Sequence, residues 1–152
     1  MRNGRALVLL AALLVVVSAG SAPAQGGPGR HGSGGWGPGG GYGRLYDPKT
    51  VETVRGEVIA VDRITPQKGM SAGVHLVLET DAGTVSVHLG PEWFLDRQDS
   101  HVQVKDTVEV KGSRVTFDGK PAIIAAEVRK GDEVLELRDA SGVPYWAGWR
   151  RR

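Results

Sequence analysis

Between Val74 and Leu89, in VHLVLETDAGTVSVHL, apolar and polar positions alternate on both sides of a short glycine-containing turn. Val74, Leu76 and Leu78 share one side of the first run, and Val85, Val87 and Leu89 share one side of the second. Period-two alternation around such a turn predicts a β-hairpin with one buried face. With Ala82-Gly83 at the centre of the turn, Leu78 faces Val87 and Leu76 faces Leu89, whereas a one-residue slip would set Leu78 against Ser86. The other face then carries His75, Val77, Glu79, Ser86 and His88, and it is the expected ligand-binding face. In this register His88 stands opposite Val77, with His75 its diagonal neighbour roughly 6–8 Å away.

The same reading extends along the chain. Val51 to Ile64 is rich in β-branched residues and long for a strand, and Gly56 inside it predicts a bend or bulge. Thr65 to Gly73 is a loop by its Pro, Ser and Gly content. After the hairpin, Pro91 to Gln98 suits one or two helical turns opened by Pro91, with Trp93 or Phe94 plugging one end of a barrel. Val102 to Lys111 resumes the alternation, with a turn at Lys105-Asp106, and Gly112 bends the chain before Arg114 to Phe117. Asp118-Gly119 is the strongest two-residue hairpin signal in the sequence. Lys120 to Val128 returns as a strand, where Pro121 indicates an edge or a strand start. Val134 to Arg138 is a short sixth strand after the Lys130-Gly131-Asp132 turn.

One short helix between the third and fourth strands is the arrangement of the OB-fold, a five-stranded Greek-key barrel. The expected class is therefore all-β: a five- to six-stranded OB-fold-like barrel over residues 45–142. A meander or small β-sandwich fits the same short strands and Gly-rich turns.

The flanks set the compartment. Arg2 and Arg5 precede an apolar run from Ala6 to Val17 and then Ala22-Pro23-Ala24, the layout of a secretory signal peptide over residues 1–24 cleaved after Ala24. The rival is an uncleaved anchor, but the run is short against the roughly 20 residues of a spanning helix. A cleaved chain keeps no transmembrane span and is periplasmic or secreted. Residues 25–44 hold eleven glycines and two prolines, which predicts a disordered tether in which His31, Trp36 and Tyr42 are spaced. Residues 143–152 form a tail in which Tyr145, Trp146 and Trp149 accompany Arg150, Arg151 and Arg152. Such a group suits a partner or peripheral contact with an anionic membrane. Alternatively at least one Trp packs back across the barrel.

Charge and cysteine usage then narrow the chemistry. The formal net charge of +2 comes from the ends. Residues 45–149 hold 12 basic against 17 acidic side chains. Nucleic-acid binding calls for a basic stripe and stacking aromatics, and residues 51–90 contain no Phe, Tyr or Trp. The absence of cysteine excludes thiolate metal sites, disulfides and covalent c-type haem, and a lipoprotein anchor with them. The fold must rest on its own core.

Three segments carry a family resemblance: Val54-Arg55-Gly56-Glu57-Val58, Leu78 to Gly83 with Val85-Ser86-Val87, and Asp106 to Gly112. They resemble the small exported bacterial OB-fold proteins, or BOF proteins. KGSRVTFDGKPAIIAAEV and PYWAGWRR are similar to the domain shared by magnetosome-associated MamS/MamX-type proteins and by exported proteins loosely labelled DNA-binding. Members of the magnetosome group can carry c-type haem; this chain has no CxxCH motif, so that cofactor does not carry over. Neither family supplies a catalytic motif.

The remaining candidate is metal. Two neutral imidazoles at His75 and His88, with Glu79 on their face, could begin a zinc or copper site. Two ligands without an evident third favour two histidines on a solvated sheet face, and His101 joins them only if folding brings it there. Ser86 near His88 lacks an oxyanion hole and a nucleophile elbow. Asp132-Glu133 sits in a turn, and residues 26–43 lack the strand and Lys-Ser/Thr of a phosphate loop. The expected function is a non-enzymatic OB-fold binding module for a small ligand, a glycan or an envelope protein partner. The alternatives are nucleic-acid binding and periplasmic divalent-metal handling through His75 and His88; no cofactor is expected and a metal is not favoured.

Overall fold

The computed structural model describes residues 33–147. Six strands and one helical turn follow in the order β1 (Val51–Ile64), β2 (Gly73–Thr80), β3 (Gly83–Pro91), α1 (Glu92–Leu95), β4 (Thr107–Phe117), β5 (Lys120–Lys130) and β6 (Glu133–Glu136). They form a mostly antiparallel sheet in the spatial order β3-β2-β1-β4-β5-β6, and a parallel pairing of β3 with β5 closes it into a barrel.

β1 serves two neighbours, which explains its length. Its first half pairs with β4 from Val51 to Glu57, and its second half pairs with β2 from Glu57 to Ile64. Gly56 sits at the handover, where an added Cβ would run into the backbone carbonyl of Glu79. The bulge in the β1–β2 pairing comes just afterwards, between Val58 and Ala60. A second irregularity falls at Gly112, where β4 continues to Phe117 while its register against β5 shifts between Lys111 and Gly112. Asp118 and Gly119 make the expected tight hairpin, both with positive φ, 50° and 73°. Pro121 stands near the start of β5, which is not an edge strand: it pairs with β3, β4 and β6.

The inward residues form a continuous core. Val58, Leu76, Leu78, Val87, Val110 and Ile123 are all fully enclosed, and Phe94 from α1 joins them at one end. Trp93 packs only partly against that core, and Pro91 is the N-cap of α1 rather than its first residue.

Four further expectations change. The central hairpin turns one position earlier than expected: Thr80 pairs with Gly83, Leu78 with Val85 and Leu76 with Val87. The two registers differ by two residues on the second strand, so both set apolar against apolar and the pattern alone could not choose. The turn decides. Gly83 has φ +112°, and the Thr80 hydroxyl donates to the Gly83 carbonyl at 2.7 Å and accepts from the Ala82 amide at 3.2 Å. The turn ahead of β4 is centred on Val104 and Lys105, where Lys105 has φ 77° and the Asp106 amide donates to the Gln103 carbonyl. Val104, which the alternation sets on one face with Val102, Val108 and Val110, is consequently exposed. The sixth strand ends at Glu136, and Arg138 instead forms an isolated bridge with Pro144.

The fourth concerns the flanks. Residues 33–44, the described part of the expected tether, pack on the barrel because two aromatic rings supply the burial their glycines lack. Trp36 and Tyr42 are both 1% exposed. The Trp36 indole donates to the Ser71 carbonyl at 3.0 Å, and the Ser71 amide donates to the Gly34 carbonyl at 2.8 Å. Gly73 lies beneath the Trp36 ring with no room for a Cβ. Trp146 is buried too, its indole donating to the Trp36 carbonyl at 2.9 Å, so the ordered domain runs past residue 142. The expected signal peptide, residues 25–32 of the tether, and Trp149 with Arg150, Arg151 and Arg152 lie outside the described residues. No helix among the described residues is long and apolar enough to cross a membrane.

Candidate functional site

The expected site was the outer face of the β2–β3 hairpin, and the earlier turn rearranges it. His75 now pairs directly with His88 across the two strands, and Val77 pairs with Ser86. The ring centroids of the two histidines are 5.7 Å apart in an edge-to-face arrangement. His75 is half-buried and its Nε2 shares a 2.5 Å hydrogen bond with the Ser86 hydroxyl. Val77 and Ser86 are likewise partly covered, and only Glu79 of the five is exposed.

His88 is enclosed at 1% exposure, so it is not on a solvated face. Two features cover it. The parallel pairing sets His88 beside Ile124 of β5, and residues 33–46 cross the outside of the barrel above it. The Tyr42 hydroxyl shares a hydrogen bond with His88 Nδ1 at 2.9 Å, and Phe117 meets the imidazole edge-to-face at 4.9 Å. Burial pushes the His88 pKa down to about 4, assisted by His75 and Arg138, and burial raises the Tyr42 phenol out of the physiological range. His75 is also lowered by desolvation, with Asp62 of β1 acting against that. Both imidazoles are therefore held neutral, as a metal ligand must be, but one nitrogen of His88 is committed to Tyr42. Among the described residues no group of three His, Cys, Asp or Glu side chains is placed to hold a metal ion, and His101 does not join the pair.

An open concavity lies elsewhere. A cavity of about 340 Å³ is walled by Tyr46 and Pro48 from the segment entering β1, by Lys111 of β4, by Glu136 of β6 and by Tyr145 of the C-terminal turn. Arg138 lies at its floor. The sequence placed Arg138 at a strand end and offered no signal for burial, yet it is 7% exposed. Its Nη1 donates to the carbonyls of Leu89, at 3.3 Å, and Ala125. Its guanidinium carbon is 4.8 Å from the Trp146 ring centroid and 5.9 Å from that of Tyr46. No carboxylate among the described residues forms an ion pair with it. Burial accordingly lowers its pKa to about 10, against the favourable influence of the Tyr42 and Tyr46 phenols. Of the tail residues expected at a partner surface, Tyr145 is exposed and lines this cavity, whereas Trp146 is spent on the core.

Sequence reasoning missed Trp36, Tyr42, Phe117 and Arg138 as parts of the sites. For the first two a signal existed, since large rings recurring in a glycine run are unusual in a pure spacer. For Arg138 there was none.

The MamS/MamX magnetosome protein family matches residues 50–135, a span running from the start of β1 into β6. The covering segment with Trp36 and Tyr42 lies before that span, and Arg138 with Trp146 lies after it. No curated protein matches the chain. The match takes in more than half of the 152 residues, and the chain belongs to the MamS/MamX magnetosome protein family.

Proposed function

We propose that this chain is an exported, magnetosome-associated binding domain without catalytic activity of its own, which holds a small ligand, a glycan or an envelope protein partner. The observation that carries the binding reading is the open cavity of about 340 Å³ floored by Arg138, at the lower end of the size range of small-ligand sites. Family membership supports the magnetosome association, and the basic-apolar-AxA start supports export to the periplasm or beyond. The ring of strands closed by β3 and β5, with α1 between β3 and β4, supports the OB-fold reading. A non-enzymatic role fits the titratable groups: His88 is sealed beneath Tyr42, and the half-buried His75 is engaged with the Ser86 hydroxyl.

The test is cell fractionation of a magnetosome-forming host expressing the tagged full chain, joined to a thermal melt of the purified protein. The protein is expected in the magnetosome-membrane or periplasmic fraction. A small-molecule extract of the envelope is expected to raise its Tm by mass action. Recovery only from the cytoplasm would overturn the location, and a Tm unmoved by every extract would overturn the binding role.

A further inference from the structure

We propose that the Arg138 cavity binds a small zwitterion, an amino acid or short peptide, with the carboxylate on Arg138 and the ammonium group towards Glu136. This rests on the reading of the chain as a binding domain. Arg138 is a buried cation without a counter-ion among the described residues, and both hydrogen bonds its side chain makes there come from Nη1. The rest of its planar fork is the part available to a carboxylate, which guanidinium groups grip through two parallel bonds. Trp146 and Tyr46 hold the guanidinium in place, so little freedom is lost when a ligand arrives.

The carboxylates on the wall decide the other end of the ligand. Glu127 is paired with Arg129 at 3.0 Å. The Asp139 carboxylate accepts from the backbone amides of Ser141 and Val143, both at 2.9 Å. Glu136 is exposed and has no ion pair among the described residues. It stands two residues before Arg138 and lines the same cavity. Lys111 on the same wall adds to the attraction for the carboxylate end, while Glu136 opposes a simple anion and is satisfied by a ligand that also carries a positive end. Tyr46 and Tyr145 leave ring surface for the short apolar part between the two charges.

The probe is L-alanyl-L-alanine, titrated into the full mature protein by calorimetry and by Trp fluorescence, since Trp146 adjoins Arg138. Its C-terminal amide and N-acetyl derivatives each remove one charge. The free dipeptide is expected to bind with a Kd on the order of 1 mM, and each blocked form about tenfold more weakly. Arg138→Lys alters a buried side chain, so the decisive variant is the exposed Glu136→Gln. It should weaken the free dipeptide about tenfold and leave the N-acetyl form unchanged. No binding of the free dipeptide, equal binding of all three forms, or an unchanged affinity in Glu136→Gln would each overturn the proposal. Stabilisation of the same protein by an envelope extract alongside any of these results would keep the binding-domain reading and reject only the zwitterion.

Discussion

The phenol of Tyr42 and the imidazole of His88, 46 residues apart in sequence, share a buried 2.9 Å hydrogen bond with their rings 15° from parallel. Tyr42 comes from a glycine-rich segment with little regular structure, and His88 from a strand paired on both sides. Their contact fastens that segment to the outside of the barrel. It also buries part of the expected polar face, with Tyr42 joining the same core cluster as the barrel interior.

The burial of His88 makes stability depend on pH. His88 has a folded pKa of about 4 against an ordinary 6.5, so the unfolded chain takes up the proton first. The stabilisation is complete above pH 6.5, falls as the pH drops towards 4, and no longer changes below that. At 1.36 kcal/mol per unit the loss across the window is about 3 kcal/mol as an upper value. Urea unfolding of the wild type between those limits should show the decline, and His88→Leu should flatten most of it. A wild-type stability constant across the window would contradict the assignment.

Removing only the hydroxyl isolates the hydrogen bond. Tyr42→Phe keeps the ring against Trp36, His88 and Phe117 but leaves the His88 nitrogen without its partner. We expect a loss of about 1–3 kcal/mol in chemical denaturation, the range for an orphaned buried polar group. A loss below about 0.3 kcal/mol would mean that the site admits water.

Trp36 separates a folded segment from a spacer. Trp36→Ala removes a ring that is 1% exposed and bonded to Ser71, and should cost about 3–5 kcal/mol. Hydrogen exchange should speed up together at the Ser71 amide, which is bonded to Gly34, and around Trp146, whose indole bonds to the Trp36 carbonyl. If the melting curve is unchanged, residues 33–44 are the tether their composition suggests.

Gly56 tests the strand handover. An alanine methyl there meets the Glu79 carbonyl, a backbone atom that cannot swing aside, so Gly56→Ala should destabilise by about 1–3 kcal/mol. Gly69 is the internal control for local crowding, since nothing lies near the position of its added Cβ; Gly69→Ala should cost about 1 kcal/mol, from its φ of +86° alone. Equal melting temperatures for the two variants would remove crowding as the reason for Gly56.

Zinc or copper should bind weakly, because His88 Nδ1 is engaged by Tyr42 and no third ligand among the described residues joins His75. The metal titration gains its meaning from Tyr42→Phe, which releases that nitrogen. If the hydrogen bond is what limits binding, the variant should bind zinc more tightly than the wild type by calorimetry. Tight one-to-one binding by the wild type, lost in His75→Ala, would instead restore the metal-handling reading.

Local pattern by itself determined the β elements, the short helix after Pro91 and the Asp118-Gly119 hairpin, because alternation and turn chemistry act over neighbouring residues. It also determined which residues of Leu76, Leu78, Val85 and Val87 point inward, since that depends only on parity. Which of two equal-parity registers the hairpin adopts was decided by the turn geometry at Thr80 and Gly83. That choice set His75 against His88. The burial of His88 was decided further away still, by closure of β3 on β5 and by Tyr42 arriving across the outside. Arg138 is the clearest case: its partners, Leu89, Ala125, Tyr46 and Trp146, come from four separate stretches of chain. No periodicity within a window of sequence encodes such a convergence, because the energy that holds it arises only when those stretches are packed together.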